Sequence, residues 1–141
     1  MNIKKKKNNP NNGFASNLWG PSLWFFIHMI SFNYPKKPTK KNIKYYKSFM
    51  KNLEFILPCK KCRDHYIIHM KNLDGYSDKH YKNRKNFSKF IYKLHNYINI
   101  SLNKKKYKNY EYVENYYELL RYNNKDNYNL SSKIVIKKKA K

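Results

Sequence analysis

The 141-residue sequence contains only two cysteines, three glycines and five prolines. Because tight turns depend on glycine and proline, this scarcity argues against a β-sandwich. Two cysteines also cannot build the several crosslinks of a disulfide-stabilised scaffold. No run of about 18 apolar residues is present, so no membrane-spanning helix or membrane partner is expected. The basic N-terminus lacks the apolar core of a secretory signal, which favours a cytoplasmic protein that is not secreted.

Acidic residues are scarce too, since eight Asp and Glu stand against 32 Lys and Arg and leave a formal net charge of +24. This charge raises the possibility of nucleic-acid binding. However, Lys, Asn, Tyr and Ile are over-used together, as an AT-rich coding sequence would produce, and two of the three densest lysine runs lie near the ends. We expect attraction to nucleic acid to be at most nonspecific and salt-dependent. A basic helical nucleic-acid-binding protein, with incidental or metal-binding cysteines, is the alternative function.

The length suits one domain with a single core, which 15 tyrosines should make rich in aromatic side chains. Residues 1–17 are predicted to form a basic disordered arm, because lysine and asparagine dominate them and Pro10 and Gly13 break regular structure. A helical domain is predicted at 18–122. Residues 123–141 are predicted to form a basic C-terminal tail.

Apolar residues recur at helical spacing along this domain and predict four helices with a short fifth. Trp19-Gly20-Pro21 is typical of a helix entry, with Pro21 in the first turn, where a missing N–H costs nothing. Thr39 is suited to cap the second helix, and Pro58 should end it. The predicted helices run from this entry to Tyr34-Pro35, from Thr39 to Pro58, from Cys59 to about Leu73, from about Arg84 to Leu102, and from about Tyr110 to Tyr122. The predicted fold class is therefore all-α, a four-helix bundle with a short fifth helix.

Two of these helices carry apolar stripes, as expected of helices that pack against a core. The stripes comprise Ile43, Tyr46, Met50, Leu53 and Leu57 in the second helix, and Phe87, Phe90, Ile91, Leu94 and Ile98 in the fourth. Both stripes follow the three- and four-residue steps of an α-helix.

The two cysteines form a C-x-x-C pair, Cys59-Lys60-Lys61-Cys62, directly after Pro58. At a helix N-terminus, exposed backbone N–H groups and partial positive charge lower the pKa of a thiol, and the two lysines add to this effect. Because the thiolate is the reactive form, these residues favour a disulfide that exchanges over one that only crosslinks. Two buried cysteines that happen to lie near each other are the plain alternative.

A C-x-x-C pair also occurs in zinc sites and in thioredoxin-type folds, but the sequence is less compatible with either of them. His65 and His69 would complete a zinc-ligand set with the cysteines, but all four lie on one predicted helix, where they could hardly surround a tetrahedral ion. We interpret these histidines as surface residues. A thioredoxin-type fold requires a strand before the pair, whereas the preceding residues follow helical spacing up to Pro58.

Three segments of the sequence share a recognisable order and spacing. The segments are Trp19-Gly20-Pro21-Ser22-Leu23-Trp24 with His28 and Tyr34-Pro35, then Pro58-Cys59-Lys60-Lys61-Cys62, and then His95-Asn96-Tyr97-Ile98-Asn99 with Leu102 and Lys104. Together they resemble the Erv/ALR family of FAD-linked sulfhydryl oxidases in order and separations, and the likeness extends from about residue 18 to residue 120.

The resemblance implies a helical bundle with FAD at its mouth, usually a homodimer. The implied reaction passes electrons from a substrate dithiol to the cysteine pair, then to FAD and then to oxygen, with release of hydrogen peroxide. By position, Cys59 exchanges with substrate and Cys62 faces the flavin. The implied cofactor-binding residues are Gly20, Trp24, His28, His95, Asn96, Asn99, Lys104 and, by a looser match, Tyr116.

The sequence departs from the family pattern in two ways. Phe90-Ile91-Tyr92 replaces the family's tryptophan-leucine-cysteine, so the cysteine of its structural disulfide is absent, and no second C-x-x-C is present. The pair should therefore take electrons directly from a dithiol protein or a thioredoxin-like carrier. Such minimal versions resemble those of large cytoplasmic DNA viruses, which would place the protein in the host cytoplasm or the virion. A flavin-bound scaffold without turnover is a third possibility.

Overall fold

The computed structural model describes residues 9–107 and 109–121, and its regular elements are helical. No β-strand occurs in these two ranges, and the all-α prediction is confirmed. The predicted tail at 123–141 lies outside the described residues. The α-helices are α1 (Ser16–Asn33), α2 (Lys40–Ile56), α3 (Lys60–Asn72), α4 (Arg84–Ser101) and α5 (Tyr110–Glu118), with short 3₁₀ turns at Pro10–Asn12 and Asp78–His80.

The described residues divide into two compact units, one that ends at Lys105 and one that begins at Lys106. The first unit contains α1 to α4, in which α1 packs mainly against α4 and α2 against α3. The second contains α5, the predicted short fifth helix. None of the helices in the described residues is both long and apolar enough to cross a membrane.

Polar side chains at the helix starts explain where several helices begin. Thr39 caps α2 as predicted, and its hydroxyl accepts the backbone N–H of Asn42 while the Asn42 side chain accepts the N–H of Thr39. The side chains of Asn83 and Asn109 cap α4 and α5 by accepting the backbone N–H groups of Asn86 and Tyr112. These oxygens bind N–H groups that have no partner inside the helix. An asparagine-rich sequence is well supplied with such caps.

The start of α1 differs from the prediction. The helix begins at Ser16, so Pro21 lies inside it rather than in its first turn. Proline cannot donate the hydrogen bond that would reach the carbonyl of Asn17. Because Asn17 and Pro21 are both exposed, water can bind that carbonyl instead.

Residues 9–15 were predicted to belong to a disordered arm, but they are structured. They form the 3₁₀ turn at Pro10–Asn12 and continue into an isolated antiparallel bridge between Gly13 and Cys59. We call residues 9–15 the strap. Residues 1–8 of the predicted arm lie outside the described residues.

The core of the first unit follows the two predicted stripes. Within them, Ile43, Tyr46 and Ile98 are partly buried and pack against the core, and the buried members are Met50, Leu53, Leu57, Phe87, Phe90, Ile91 and Leu94. The core is rich in tyrosine, as expected. Three buried tyrosine hydroxyls donate to backbone carbonyls. The Tyr34 hydroxyl donates to the carbonyl of Tyr81, that of Tyr66 to the carbonyl of Met50, and that of Tyr81 to the carbonyl of Gly75. Each bond avoids the cost of a buried hydroxyl without a partner.

Candidate active site

The two cysteines are joined by a disulfide at the start of α3. Leu57 and Pro58 end α2, and Cys59 occupies the N-cap position of α3, with extended backbone angles. The backbone N–H of Cys62 donates to Cys59 Sγ over 3.1 Å. The predicted C-x-x-C pair at a helix start is therefore present, with a backbone donor directed at the sulfur of Cys59.

The two sulfurs have different surroundings. Cys62 packs against the core of the first unit. Cys59 is bridged to Gly13 of the strap, where the N–H of Phe14 donates to the carbonyl of Pro58 over 2.6 Å. Cys62 is thus the inner cysteine, and Cys59 lies between the end of α2 and the strap.

Gly13 allows the strap to approach this closely. Its φ angle is +72°, and a Cβ added there would lie 2.3 Å from the carbonyl oxygen of Pro58. Any other residue would strain the backbone and collide with Pro58. The indole N–H of Trp19 donates to the carbonyl of Phe14 and ties the strap to α1. Sequence reasoning treated Gly13 as a breaker and missed this contact.

Three of the predicted cofactor-binding residues meet where α1 packs against α4. His28 Nε2 and His95 Nδ1 lie 2.9 Å apart in a buried hydrogen bond. The ring of Trp24 stacks on that of His95, with centroids 3.9 Å apart and planes 5° from parallel. Trp24 is only partly buried, whereas both histidines are buried. The cluster therefore joins a partly accessible flat ring to a buried polar pair.

Other predicted residues flank this cluster. Asn99 is buried one helical turn after His95, and Asn96 is partly buried. After α4 the chain turns at Asn103, whose φ angle is +54°, and the exposed Lys104 donates its backbone N–H to the carbonyl of Asn99 over 2.7 Å.

Gly20 and Tyr116 complete the predicted set. Gly20 lies one turn before Trp24 on α1, and a Cβ added there would find no atom within 4 Å. The space beside α1 at Gly20 is thus open. Tyr116 belongs to α5 in the second unit, where its ring packs edge-on against that of Tyr117 at 5.1 Å. Its place beside a cofactor stays a prediction.

The histidines of α3 do not assemble a metal site with the cysteines. His65 is exposed, and His69 packs edge-on against the ring of Tyr97. Throughout residues 9–107 and 109–121, no three His, Cys, Asp or Glu side chains are grouped to hold a metal ion. Because the cysteine sulfurs are bonded to each other, they are not available as thiolate ligands.

The histidine cluster predicts a pH-dependent stability. Burial, with repulsion from His28 and Lys104, lowers the pKa of His95 to about 3. The unfolded chain, with a histidine pKa of about 6.5, binds this proton more readily, so stability is complete above that pH and falls as pH decreases toward 3. Chemical unfolding should show a loss of about 2 kcal/mol between pH 7.5 and pH 5 from this residue.

Two other histidines act in the same direction, because burial also lowers the pKa of His69 and of His80. His95→Gln separates the contributions, since this variant keeps those two groups and loses the imidazole of the cluster. Its unfolding free energy should depend less steeply on pH than that of the parent. Equal slopes for the two proteins would contradict a neutral, buried His95.

Comparisons with known proteins agree with the likeness that the motifs suggested. Residues 21–118 match the family model described as the Erv1 / Alr family. A protein of Acanthamoeba polyphaga mimivirus, named as an FAD-linked sulfhydryl oxidase, is 32% identical over 111 residues, which cover 79% of this chain and 77% of that protein. One of Invertebrate iridescent virus 6 with the same designation is 33% identical over 90 residues, covering 62% and 81%.

Solved structures give the same fold. The crystal structure of the yeast Erv1 core matches with a TM-score of 0.65 and 21% identity, and the match covers 82% of this chain and 92% of that one. The structure of the FAD-binding domain of Erv1 from Saccharomyces cerevisiae matches with a TM-score of 0.65, covering 74% and 94%.

Proposed function

The chain belongs to the Erv1 / Alr family, and from this premise we propose that it is an FAD-dependent thiol oxidase that forms disulfides in partner proteins. The observation that carries the proposal is the placement of the disulfide. Cys62 and Trp24 pack against one core, so the inner sulfur and the aromatic part of the predicted cofactor site share a folded unit. The structural features and the named relatives do not favour the nucleic-acid-binding alternative.

The residues around Trp24 fit FAD. A flavin needs flat side chains to stack on, and its ribose and pyrophosphate need hydrogen-bonding and cationic groups. The partly exposed indole of Trp24 is a flat surface for stacking. Hydrogen-bonding groups are present in the His28–His95 pair and Asn99, and Lys104 supplies a cation. The open space at Gly20 leaves room for a group to approach α1. Bound at these residues, FAD would supply two-electron redox chemistry between the reduced cysteines and oxygen, with hydrogen peroxide as the product.

The cysteine pair performs the exchange with substrate. A substrate thiolate attacks Cys59 Sγ, the Cys59–Cys62 bond breaks, and Cys62 leaves as a thiolate near the N-terminus of α3, which stabilises negative charge. The second substrate thiolate then attacks the substrate sulfur of the mixed disulfide and releases Cys59. The N–H of Cys62 that points at Cys59 Sγ stabilises this leaving thiolate. The substrate leaves as a disulfide, and the cysteines hold its two electrons.

The same proposal includes a homodimer and direct delivery of electrons by the substrate. The apolar side chains of Phe26 and Met29 on α1 and Tyr45 on α2 are exposed, and the Phe26 ring contacts Phe49 of α2 edge-on. Such a surface suits a two-fold contact with a second copy, which sedimentation equilibrium tests.

Because these 141 residues hold a single cysteine pair, a dithiol protein or thioredoxin-like carrier would react at Cys59 itself.

A spectroscopic experiment tests this function. Purified protein should be yellow, its flavin absorbance should bleach with dithiothreitol under anaerobic conditions, and air should restore it with one hydrogen peroxide per dithiol oxidised. Heat-denatured protein mixed with free FAD is the control. In this mixture the reduced protein thiols should not bleach the flavin absorbance. A colourless protein with stoichiometric zinc would refute the oxidase.

A further inference from the structure

The two chain segments that adjoin Cys59, the strap with the start of α1 and the end of α2, carry four exposed apolar side chains that the reaction itself does not require. Phe14 is held at Pro58 by its backbone hydrogen bond, and Leu18 follows in the first turn of α1. Phe55 and Ile56 are the last two residues of α2, immediately before Leu57 and Pro58. All four side chains are between 64% and 72% exposed. We call them the apolar rim, and a group of this kind is typical of a surface that contacts another molecule.

Positive charge follows Cys59 on α3. Lys60 and Lys61 are the first two residues of the helix, and both are exposed. Across residues 9–18 and 52–64 the only acidic residues are Glu54 and Asp64. Glu54 is buried and paired with Lys51 over 2.8 Å, and Asp64 is paired with Lys60 over 2.8 Å. The surface around the disulfide therefore presents apolar groups and net positive charge.

We propose that this surface selects the substrate, and that the preferred substrate segment is an extended peptide whose cysteines are flanked by an apolar residue and by several Asp or Glu residues. The inference rests on the proposed thiol oxidase activity and specifies its substrate class. Cys59 has an extended backbone, and its bridge to Gly13 of the strap shows that an extended segment fits against it. A second copy of this chain is a poor occupant of this particular surface, because a two-fold contact here would bring Lys60 and Lys61 of one copy close to the same lysines of the other.

Two synthetic dithiol peptides test the proposal on the FAD-loaded, full-length protein. Both contain the same C-x-x-C and one flanking leucine, and they differ only in four flanking residues, which are Asp and Glu in one and Lys in the other. Oxygen consumption should give a kcat/KM about tenfold higher for the acidic peptide at low ionic strength. The ratio should shrink as salt shortens the Debye length. Equal values for the two peptides would overturn the proposal.

Two charge-reversal variants distinguish the effect of charge at this surface from the effect of the total charge of the protein. Lys60→Glu combined with Lys61→Glu should invert the preference, so that the basic peptide becomes the better substrate. The matched control combines Lys36→Glu with Lys37→Glu, which alters two adjacent exposed lysines beyond α1 and changes the net charge equally. This control should keep the preference for the acidic peptide. An equal loss of preference in both proteins would refute a local role for Lys60 and Lys61.

The apolar rim has its own matched pair of variants. Ile56→Ser should raise KM for the acidic peptide several-fold, whereas Ile68→Ser on α3, which removes an exposed isoleucine elsewhere, should not. An equal effect of the two variants would exclude the rim from recognition.

Dithiothreitol serves as the reference substrate for every variant, because it is too small to span the rim and the lysines. Rates with peptides are divided by the rate with dithiothreitol, which removes any effect of the lysines on the disulfide itself. Protein that does not oxidise dithiothreitol fails as an oxidase. Protein that oxidises it but does not distinguish the peptides remains an oxidase and disproves only the substrate class.

Discussion

Replacing either cysteine with serine should abolish dithiol oxidation, with turnover falling by at least about 1,000-fold. The reason is that the reaction requires a disulfide that opens and closes, and Cys59 and Cys62 are the only two cysteines of the sequence. Serine is close to cysteine in size, so both variants should keep their helical fold and bound flavin. Oxygen consumption with dithiothreitol measures the loss, and the ratio of flavin to protein absorbance is the control for folding.

The two variants should differ in one respect that reports which sulfur is the inner one. Cys62 packs against the core and Cys59 lies beside the strap. Protein with Cys59→Ser keeps the inner thiolate, so it should show a long-wavelength charge-transfer band between thiolate and flavin. Protein with Cys62→Ser should lack this band. The opposite pattern would reverse the assigned roles, and turnover in either variant well above about a thousandth of the parent's would refute the mechanism.

Replacing His95 with alanine is expected to cause the second large effect, the loss of the cofactor together with stability. The change removes the partner of a buried His28 nitrogen and the ring on which Trp24 stacks. A lost buried hydrogen bond and the resulting cavity together should lower the free energy of unfolding by about 3 kcal/mol. Most of the protein should purify without flavin, because Trp24 loses the support that orients its ring.

His65→Ala is the matched control, since His65 is exposed on α3. Its effect on the free energy of unfolding should stay within about 0.5 kcal/mol, and its flavin content should equal that of the parent. Urea unfolding and the flavin-to-protein absorbance ratio, measured side by side, compare the two variants. If His95→Ala protein kept its full flavin content, the cluster of Trp24, His28 and His95 would not be the cofactor site.

Local signals in the sequence were enough to predict much of the helical framework. Thr39 caps α2 through bonds to Asn42, and Pro58 removes the N–H that would continue the helix, so both boundaries depend on neighbouring residues. The stripes on α2 and α4 predicted the core because helical spacing alone determines which side chains share a face. The prediction that Pro21 lies in the first turn of α1 was wrong. The helix begins earlier, at Ser16, and residues 16–20 with the strap before them decide that start.

The prediction of the candidate site used two kinds of information, residue types at local positions and family resemblance. The residue types of the C-x-x-C pair and its position after Pro58 predicted a reactive disulfide at a helix start, and the structure has it there. The roles of Trp24, His28 and His95 came from family resemblance, because nothing local in either helix shows that these rings meet. His28 and His95 are 67 residues apart in the sequence, and their contact exists only because α1 packs against α4.

The sequence by itself determined the all-α fold, the reactive cysteine pair and the family, because helix spacing, caps and motifs are written in neighbouring residues. Only the tertiary structure decided that Trp24, His28 and His95 meet and that the strap is ordered. Residues 9–15 have the composition of a disordered segment, and their order comes from bonds to Pro58 and Trp19. The bond between Phe14 and Pro58 joins residues that are far apart in the sequence, and it forms only when the core brings them together, so no local pattern could have predicted it.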